Sequence, residues 1–152
     1  MQNPLSRTYL ATMQVWDAEC AARVARHRAM RAQKQFATVE CPRGLEALTL
    51  PQCGTVLLED LGNLAANELY DPAGAGEAAV DAVLRGIEAL RAQCEELILV
   101  TNEVFSGGTA YAGDTERYLR TLAKINNAAA QRADTVVRVV CGIPVYYKGT
   151  KR

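Results

Sequence analysis

The run from Gly54 to Asp60 places the strongest constraint on the fold of this chain, because it is apolar through Val-Leu-Leu and then turns acidic. A short apolar run of this kind is typical of a buried parallel strand, here with carboxylates at its carboxyl end. The run from Glu96 to Glu103 repeats the pattern and also ends in polar residues. Open α/β sheets bind their ligands at this end of the strands. The two runs therefore predict a parallel sheet and the edge at which a site would lie.

Strand-like and helical patterns alternate along the whole chain. Strands are predicted at 9–13, 36–40, 54–60, 96–103, 135–141 and 145–147. Helices are predicted at 17–31, 45–48, 61–70, 78–93 and 115–132, with Asp17 and Thr115 as N-caps. The stretch 105–114, rich in glycine and small residues, is predicted to be an exposed loop. This alternation predicts one α/β domain over residues 1–152, with a mostly parallel sheet flanked by helices.

Composition excludes several classes of partner. Seventeen basic and seventeen acidic residues balance, so no global field would attract nucleic acid or a membrane surface. No apolar run approaches the roughly 20 residues of a membrane span, and the first residues lack a signal-peptide core, so we expect a cytoplasmic protein. The five cysteines are scattered, without the CxxC spacing of a zinc site. They are expected to be reduced thiols.

The chain's only histidine, His27, lies on the first predicted helix. Glu19, Arg23, His27 and Arg31 follow one another at four-residue spacing, so their side chains form one stripe. Arginines on both sides favour the neutral imidazole, which is the nucleophilic form. An anionic phosphate centre could react with such a nucleophile. A solvated helix face with an incidental histidine is the alternative that the stripe alone leaves open.

Two strand ends carry oxygen ligands. Glu59-Asp60 and Asn102-Glu103 could hold Mg²⁺ beside a nucleotide, since Mg²⁺ binds one or two carboxylates together with phosphates. Carboxylates that cap the following helix are the alternative. The stretch 108–115 imitates a phosphate-binding loop, but Asp114 stands where such a loop needs lysine. A carboxylate there would repel phosphate, so we interpret this stretch as an ordinary loop.

A series of short motifs runs through the chain in order. The first is Asp17-x-Glu19-x-x-x-Arg23-Val24-x-x-His27-x-x-x-Arg31, followed by Phe36-x-Thr38-x-Glu40-x-Pro42. The others are Val56-Leu-Leu-Glu59 with Asn67, Leu99-Val-Thr-Asn102-Glu103-Val104, Asn126 with Ala133-Asp134, and Gly142-Ile-Pro-Val with Lys148-Gly149. Together, and over essentially the whole chain, they resemble the adenosylcobinamide kinase / adenosylcobinamide-phosphate guanylyltransferase family.

The resemblance implies an enzyme of vitamin B12 biosynthesis with a P-loop NTPase-like (RecA-like) fold. It would transfer GMP from GTP to adenosylcobinamide phosphate through a guanylylated histidine, which is His27 here. Glu59 and Asp60 would hold Mg²⁺. The resemblance also implies a homo-oligomer, since family members form trimers. The implied nucleotide- or phosphate-binding residues are Arg23, Arg31, Thr38, Glu40, Glu59, Asn67, Asn102 and Glu103.

One part of the family pattern has no counterpart in these residues. The family begins with a strand, a GxxxxGK[ST] loop and a helix, whereas this chain begins just before the family's second strand. We therefore expect cobinamide kinase activity to be lost. Guanylyl transfer also loses a part of its site, because the same loop would position the triphosphate for attack by His27, but the intact His27 pattern favours this half of the activity. A non-catalytic nucleotide- or corrinoid-binding paralogue or regulatory subunit is the alternative, and a fragment of a longer protein is a third interpretation. The missing central strand would require a closed gap, a reordered sheet or a partner's strand.

Overall fold

A computed structural model describes residues 6–14, 18–33, 36–51, 53–103 and 114–150 of the chain. The described residues form six strands and four α-helices, in the order β-α-β-β-α-α-β-α-β-β. The strands are β1 (Arg7–Ala11), β2 (Phe36–Glu40), β3 (Cys53–Glu59), β4 (Cys94–Val100), β5 (Val136–Val140) and β6 (Ile143–Lys148). The helices are α1 (Ala18–Gln33), α2 (Leu61–Tyr70), α3 (Ala79–Arg91) and α4 (Asp114–Arg132), with short 3-10 turns at Leu45–Ala47 and Gly76–Ala78.

Strands β1 to β4 form one parallel sheet in the order β2-β1-β3-β4. This confirms the predicted α/β architecture with a mostly parallel sheet. In the pairing of β1 with its two neighbours, Ala11 lies between Glu40 and Glu59, so the carboxyl ends of three strands are level. Strands β3 and β4 are hydrogen-bonded directly, from Cys53–Cys94 to Glu59–Val100. The described sheet therefore has no gap between β3 and β4.

The hydrophobic core lies on one face of this sheet. Side chains alternate between the faces of a strand, so Leu10, Val56 and Leu58 point to the same side. These three are fully buried and pack against the inner faces of α2, α3 and α4. The helix residues in this cluster are Leu61, Leu64, Ala65, Val83, Ile87, Leu90, Leu122 and Ile125. The opposite face carries Tyr9, Leu57 and Glu59 and is covered over β1 and β2 by α1.

The last two strands differ from the prediction in their pairing. Strands β5 and β6 form an antiparallel hairpin that is a sheet of its own. Its apolar side chains stay exposed, with Val139 and Ile143 at 66% and 65% and Tyr147 at 64%. The alternation of strands with helices predicted the two strands but could not show that they pair with each other, since pairing depends on contacts distant in sequence.

The predicted boundaries hold within a few residues. Helix α4 begins at Asp114, so Thr115 lies inside the helix rather than at its cap. The predicted cap at Asp17 and positions 105–113 of the predicted loop lie outside the described residues, and the last residue of that loop, Asp114, belongs to α4 instead. Among the helices that are described, none has the length and hydropathy needed to cross a membrane.

Candidate functional site

Helix α1 presents the predicted stripe at the edge of the molecule. Arg23 and His27 are exposed, and only Val24 and Arg31 are half-buried among the described side chains of residues 18–31. Since residues four apart lie on one helical face, His27 is one turn from Arg23 and one turn from Arg31. The helix therefore rests on the sheet through few side chains and leaves its histidine open to a ligand.

Tyr9 links α1 to the end of β3. The guanidinium carbon of Arg31 lies 3.7 Å from the centre of the Tyr9 ring, which is a cation–π contact. The Tyr9 hydroxyl donates a hydrogen bond of 2.6 Å to Glu59 Oε2. Burial, and then the hydrogen bond to Glu59 and its negative charge, raise the pKa of Tyr9 well above its usual value, while the neighbouring Arg31 guanidinium opposes this shift. The Tyr9 hydroxyl therefore stays protonated and remains the donor in its hydrogen bond to Glu59.

The end of β2 lies beside this cluster. Thr38 is half-buried and paired with Tyr9 across the sheet, and Glu40 is paired with Ala11. Glu40 forms an ion pair with Arg28 of α1, in which both side chains are about half exposed. Three predicted site residues, Thr38, Glu40 and Glu59, thus lie on one face of the sheet together with Arg31.

The side chain of Asp60 caps the helix that follows it. Its Oδ1 accepts a hydrogen bond of 2.7 Å from the backbone N–H of Asn63, which makes Asp60 the N-cap of α2. Its other oxygen lies 3.5 Å from the Asn63 amide nitrogen. The capping alternative left open by the sequence is the arrangement that the structure shows for this carboxylate.

Thr12 organises the same edge and was missed by the sequence analysis. Its side chain is fully buried, and Oγ1 accepts from the Asp60 N–H at 2.8 Å. The same oxygen lies 3.1 and 2.9 Å from the carbonyl oxygens of Glu59 and Asp60, whose peptide bond is cis. The end of β3 is therefore held to the residue that follows β1.

Three polar groups lie close together at the start of α2. A side chain at Gly62 would lie 2.9 Å from the Tyr118 hydroxyl, 3.2 Å from Asp60 Oδ1 and 3.5 Å from the Asn102 amide nitrogen. Burial, and then the charge of Asp60, raise the pKa of Tyr118. Glycine at position 62 is what allows these three polar groups to approach the helix end. No motif in the sequence marked Tyr118 as a residue of this site.

The remaining predicted residues lie elsewhere. The Asn67 amide donates to the carbonyl oxygens of Thr12 and Pro42, at 2.7 and 2.8 Å, so it ties together the loops that follow β1 and β2. Glu103 accepts from Arg138 of the hairpin at 3.0 Å. The structure thus separates Asn67 and Glu103 from the residues around Tyr9.

A shallow cleft of about 520 Å³ lies between the loop after β2 and the turn after α2. It is lined by Pro42, Arg43, Gly44, Glu68, Ala73, Gly74 and Ala75. Arg43 pairs with Asp71 at 3.3 Å, and the Gly44 N–H donates to buried Glu68 at 3.3 Å. Hydrogen bonds from Ala73 and Gln14, and then the charge of Arg43, lower the pKa of Asp71. Motif spacing offered no signal for this cleft, because its two sides, 42–44 and 68–75, are distant from each other in sequence.

Glu59 fits a magnesium ion better than Asp60 does. Mg²⁺ in nucleotide sites uses one or two carboxylates, with phosphates and water completing the shell. Glu59 is exposed and one of its oxygens, Oε2, accepts from Tyr9, whereas both oxygens of Asp60 face Asn63. No group of three or more His, Cys, Asp or Glu residues within the described ranges is arranged to hold a metal by itself. The donor set suits an ion that arrives with a nucleotide.

The fold and these side chains define an open parallel α/β protein with polar and charged groups at the carboxyl edge of its sheet, where such proteins bind ligands. The family model described as "Cobinamide kinase / cobinamide phosphate guanyltransferase" matches residues 1–147. The chain belongs to this family. The resemblance carried by the motifs is thereby confirmed.

Curated relatives agree with this assignment. The bifunctional adenosylcobalamin biosynthesis protein CobU of Salmonella typhimurium is 34% identical, over 92% of this chain and 84% of that protein. CobU of Escherichia coli is 33% identical over the same shares. The bifunctional adenosylcobalamin biosynthesis protein CobP of Pseudomonas aeruginosa is 31% identical, over 97% of this chain and 86% of that protein.

Proposed function

We propose that this protein acts in cobalamin biosynthesis as a guanylyltransferase, which transfers GMP from GTP to adenosylcobinamide phosphate through His27. The observation that carries the proposal is the exposed imidazole on α1, one helical turn from an arginine on either side, in a chain of this family. A covalent route needs a nucleophile that a ligand can reach and cations for the charge on the phosphate. Helix α1 supplies both.

The chemistry takes two displacements at the same phosphorus atom. The neutral ring nitrogen of His27 attacks the α-phosphorus of GTP, forming an N–P bond while the bond to the β-phosphate oxygen breaks and pyrophosphate leaves. A phosphate oxygen of adenosylcobinamide phosphate then attacks the same phosphorus, and the N–P bond breaks. His27 is regenerated, and the product is GDP-linked cobinamide. Arg23 and Arg31 would stabilise the charge that develops on the α-phosphate oxygens.

The remaining parts of the proposal concern Mg²⁺ and the assembly. Glu59 would contribute a carboxylate to an Mg²⁺ ion bound by the triphosphate, and this ion would neutralise the leaving pyrophosphate. Thr38, Glu40, Asn67, Asn102 and Glu103 stay proposed nucleotide-binding residues, with Asp60 as a further proposed magnesium ligand. We also propose a homo-oligomer in the cytoplasm.

Labelling with GTP tests the nucleophile directly. After incubation with α-labelled GTP and Mg²⁺, we expect an acid-labile label on the protein, and we expect His27→Ala to lack it. Arg26→Ala is the matched control, since Arg26 is exposed on the same helix beside His27 and outside the stripe. Absence of label on the wild-type protein, with adenosylcobinamide phosphate also left unconverted, would reject the proposal. Supplying cobinamide with ATP or GTP in parallel measures the kinase reaction.

One structural observation favours a second candidate, a paralogue that binds a nucleotide or corrinoid without turnover. Glu40, Asp60, Asn67 and Glu103 all have partners within the chain, so a ligand would have to displace these contacts or bind beside them. Calorimetry with GTP, GMP and cobinamide separates the two candidates. Binding without a label on His27 would support the paralogue.

A further inference from the structure

Tyr9 uses both parts of its side chain for polar contacts, although it lies on the central part of the sheet. Only 7% of the residue is exposed. Its ring lies under the Arg31 guanidinium, and its hydroxyl binds Glu59. Arg31 comes from α1 and Glu59 from the end of β3, so one side chain contacts two elements that do not pair with each other.

The ring determines how Arg31 lies on the sheet. The Nε atom of Arg31 is buried, and it has no hydrogen-bond partner among the residues that the structure describes. A buried donor without a partner is costly, so the cation–π contact with Tyr9 must offset part of that cost. Because α1 rests on few side chains, this contact also helps to determine the height of the helix above the sheet.

The hydroxyl determines how Glu59 is oriented. A hydrogen bond of 2.6 Å to a carboxylate is short, as expected when the acceptor carries a charge. Glu59 is otherwise exposed at the strand end, where its side chain would adopt several rotamers. The bond from Tyr9 selects one of them.

We propose that Tyr9 is a positioning residue for guanylyl transfer, which places Arg31 through its ring and Glu59 through its hydroxyl. This inference rests on the proposed function, in which Arg31 faces the nucleotide phosphates and Glu59 faces Mg²⁺. Tyr9 touches neither reactant, so its effect on the reaction passes through the two charged groups.

Two variants separate the two contacts. Tyr9→Phe keeps the ring and removes the hydroxyl. We expect it to raise the Mg²⁺ concentration for half-maximal labelling by about tenfold, as for the loss of a hydrogen bond to a charged group, with little change in the rate at saturating Mg²⁺. Tyr9→Leu also removes the ring, and we expect it to raise the GTP concentration needed for half-maximal labelling. Tyr146→Phe is the control, a tyrosine of the hairpin that is 37% exposed.

Non-additivity distinguishes positioning from a general loss of stability. In a Glu59→Gln background, Tyr9→Phe should have no further effect on the Mg²⁺ requirement, because the group it orients has lost its charge. An equal effect in both backgrounds would overturn the proposal. So would Tyr9 variants that behave like Tyr146→Phe while the wild-type protein is labelled.

An NMR measurement on the ligand-free protein tests the geometry without activity. The Arg31 Nε–H signal should be shifted upfield by the Tyr9 ring, and the shift should persist in Tyr9→Phe and disappear in Tyr9→Leu. Persistence of the upfield shift in Tyr9→Leu would overturn the proposal.

If the wild-type protein takes no label, the proposed function fails and the positioning role in transfer fails with it. The Arg31 signal then reports separately whether the contact exists. If Tyr9→Leu does not fold, Tyr9→Phe still tests the proposal through the Mg²⁺ concentration for half-maximal labelling.

Discussion

At the scale of single residues, one buried hydroxyl organises the edge at which the candidate site lies. Thr12 Oγ1 contacts the backbone of both Glu59 and Asp60, and these two residues supply the carboxylates at the end of β3. The Asp60 N–H donates its hydrogen bond to this side chain. The position of the carboxylates therefore depends on a residue 47 positions earlier in the chain.

Removing this hydroxyl should destabilise the protein. We expect Thr12→Val, which keeps the shape of the side chain, to lower the free energy of unfolding by about 1–3 kcal/mol, because it leaves the partly buried Asp60 N–H without its Thr12 partner. Denaturant unfolding measures the difference. Thr49→Val is the control at an exposed threonine, where a change within about 0.5 kcal/mol is expected. Equal losses of unfolding free energy in Thr12→Val and Thr49→Val would contradict a structural role for the Thr12 hydroxyl.

At the scale of elements, α1 and α3 are held in the fold by different kinds of contact. Helix α3 buries Ala79, Val83, Ile87 and Leu90, an apolar pattern at helical spacing. Among the side chains of α1 that the structure describes, only Val24 and Arg31 are half-buried, and the helix contacts β1 and β2 through polar groups. Gly86 adds a feature that the pattern did not show, since it lets α3 approach the turn at Leu45–Ala47.

A larger residue at Gly86 should disrupt this approach. A Cβ atom there would lie 2.6 Å from the Cβ of Leu45, which is only 1% exposed and cannot move aside. We expect Gly86→Val to cost about 2 kcal/mol or more in denaturant unfolding, as other overpacked cores do. Asp81→Val introduces the same residue at an exposed site of the same helix and should cost at most about 1 kcal/mol. Similar losses for both variants would show that the contact is not tight.

At the scale of the whole molecule, the described chain has one sheet with a core and one without. The parallel sheet is packed on α2, α3 and α4, whereas the hairpin of β5 and β6 exposes apolar side chains on both faces. Arg138 connects the hairpin to Glu103, and Lys148 donates to the last carbonyls of α4 at 3.3 and 3.0 Å. These contacts are polar and exposed.

This difference should appear in hydrogen exchange. A two-stranded ribbon that lacks a covered face is marginally stable in water, so we expect the amides of residues 136–148 to exchange much faster than those of β3. Exchange followed by NMR or mass spectrometry measures both in one experiment, with β3 as the internal control. Equal protection of the hairpin and β3 would contradict the prediction and would mean that the hairpin is covered in solution.

Periodicity predicted the elements well because it reports local geometry. The stripe of α1, the run through β3 and the inner face of α3 each depend on residues a few positions apart. The parallel order of the strands also placed Glu59 and Asp60 at the carboxyl edge. The pairing of Glu103 with Arg138, and of Asn67 with the loops after β1 and β2, joins residues 25 to 55 positions apart, so no local pattern could reveal it.

The sequence by itself determined the architecture, the family and the exposed histidine helix, because these depend on local periodicity and on motifs in a fixed order. Only the tertiary structure decided which carboxylate caps a helix and which accepts from Tyr9, since Glu59 and Asp60 are adjacent and their sequence context left both roles open. It also decided the contacts of Tyr9 with Arg31 and Glu59. Alternation along a strand shows which residues share a face, but only the packing of α1 shows that this face lies under Arg31.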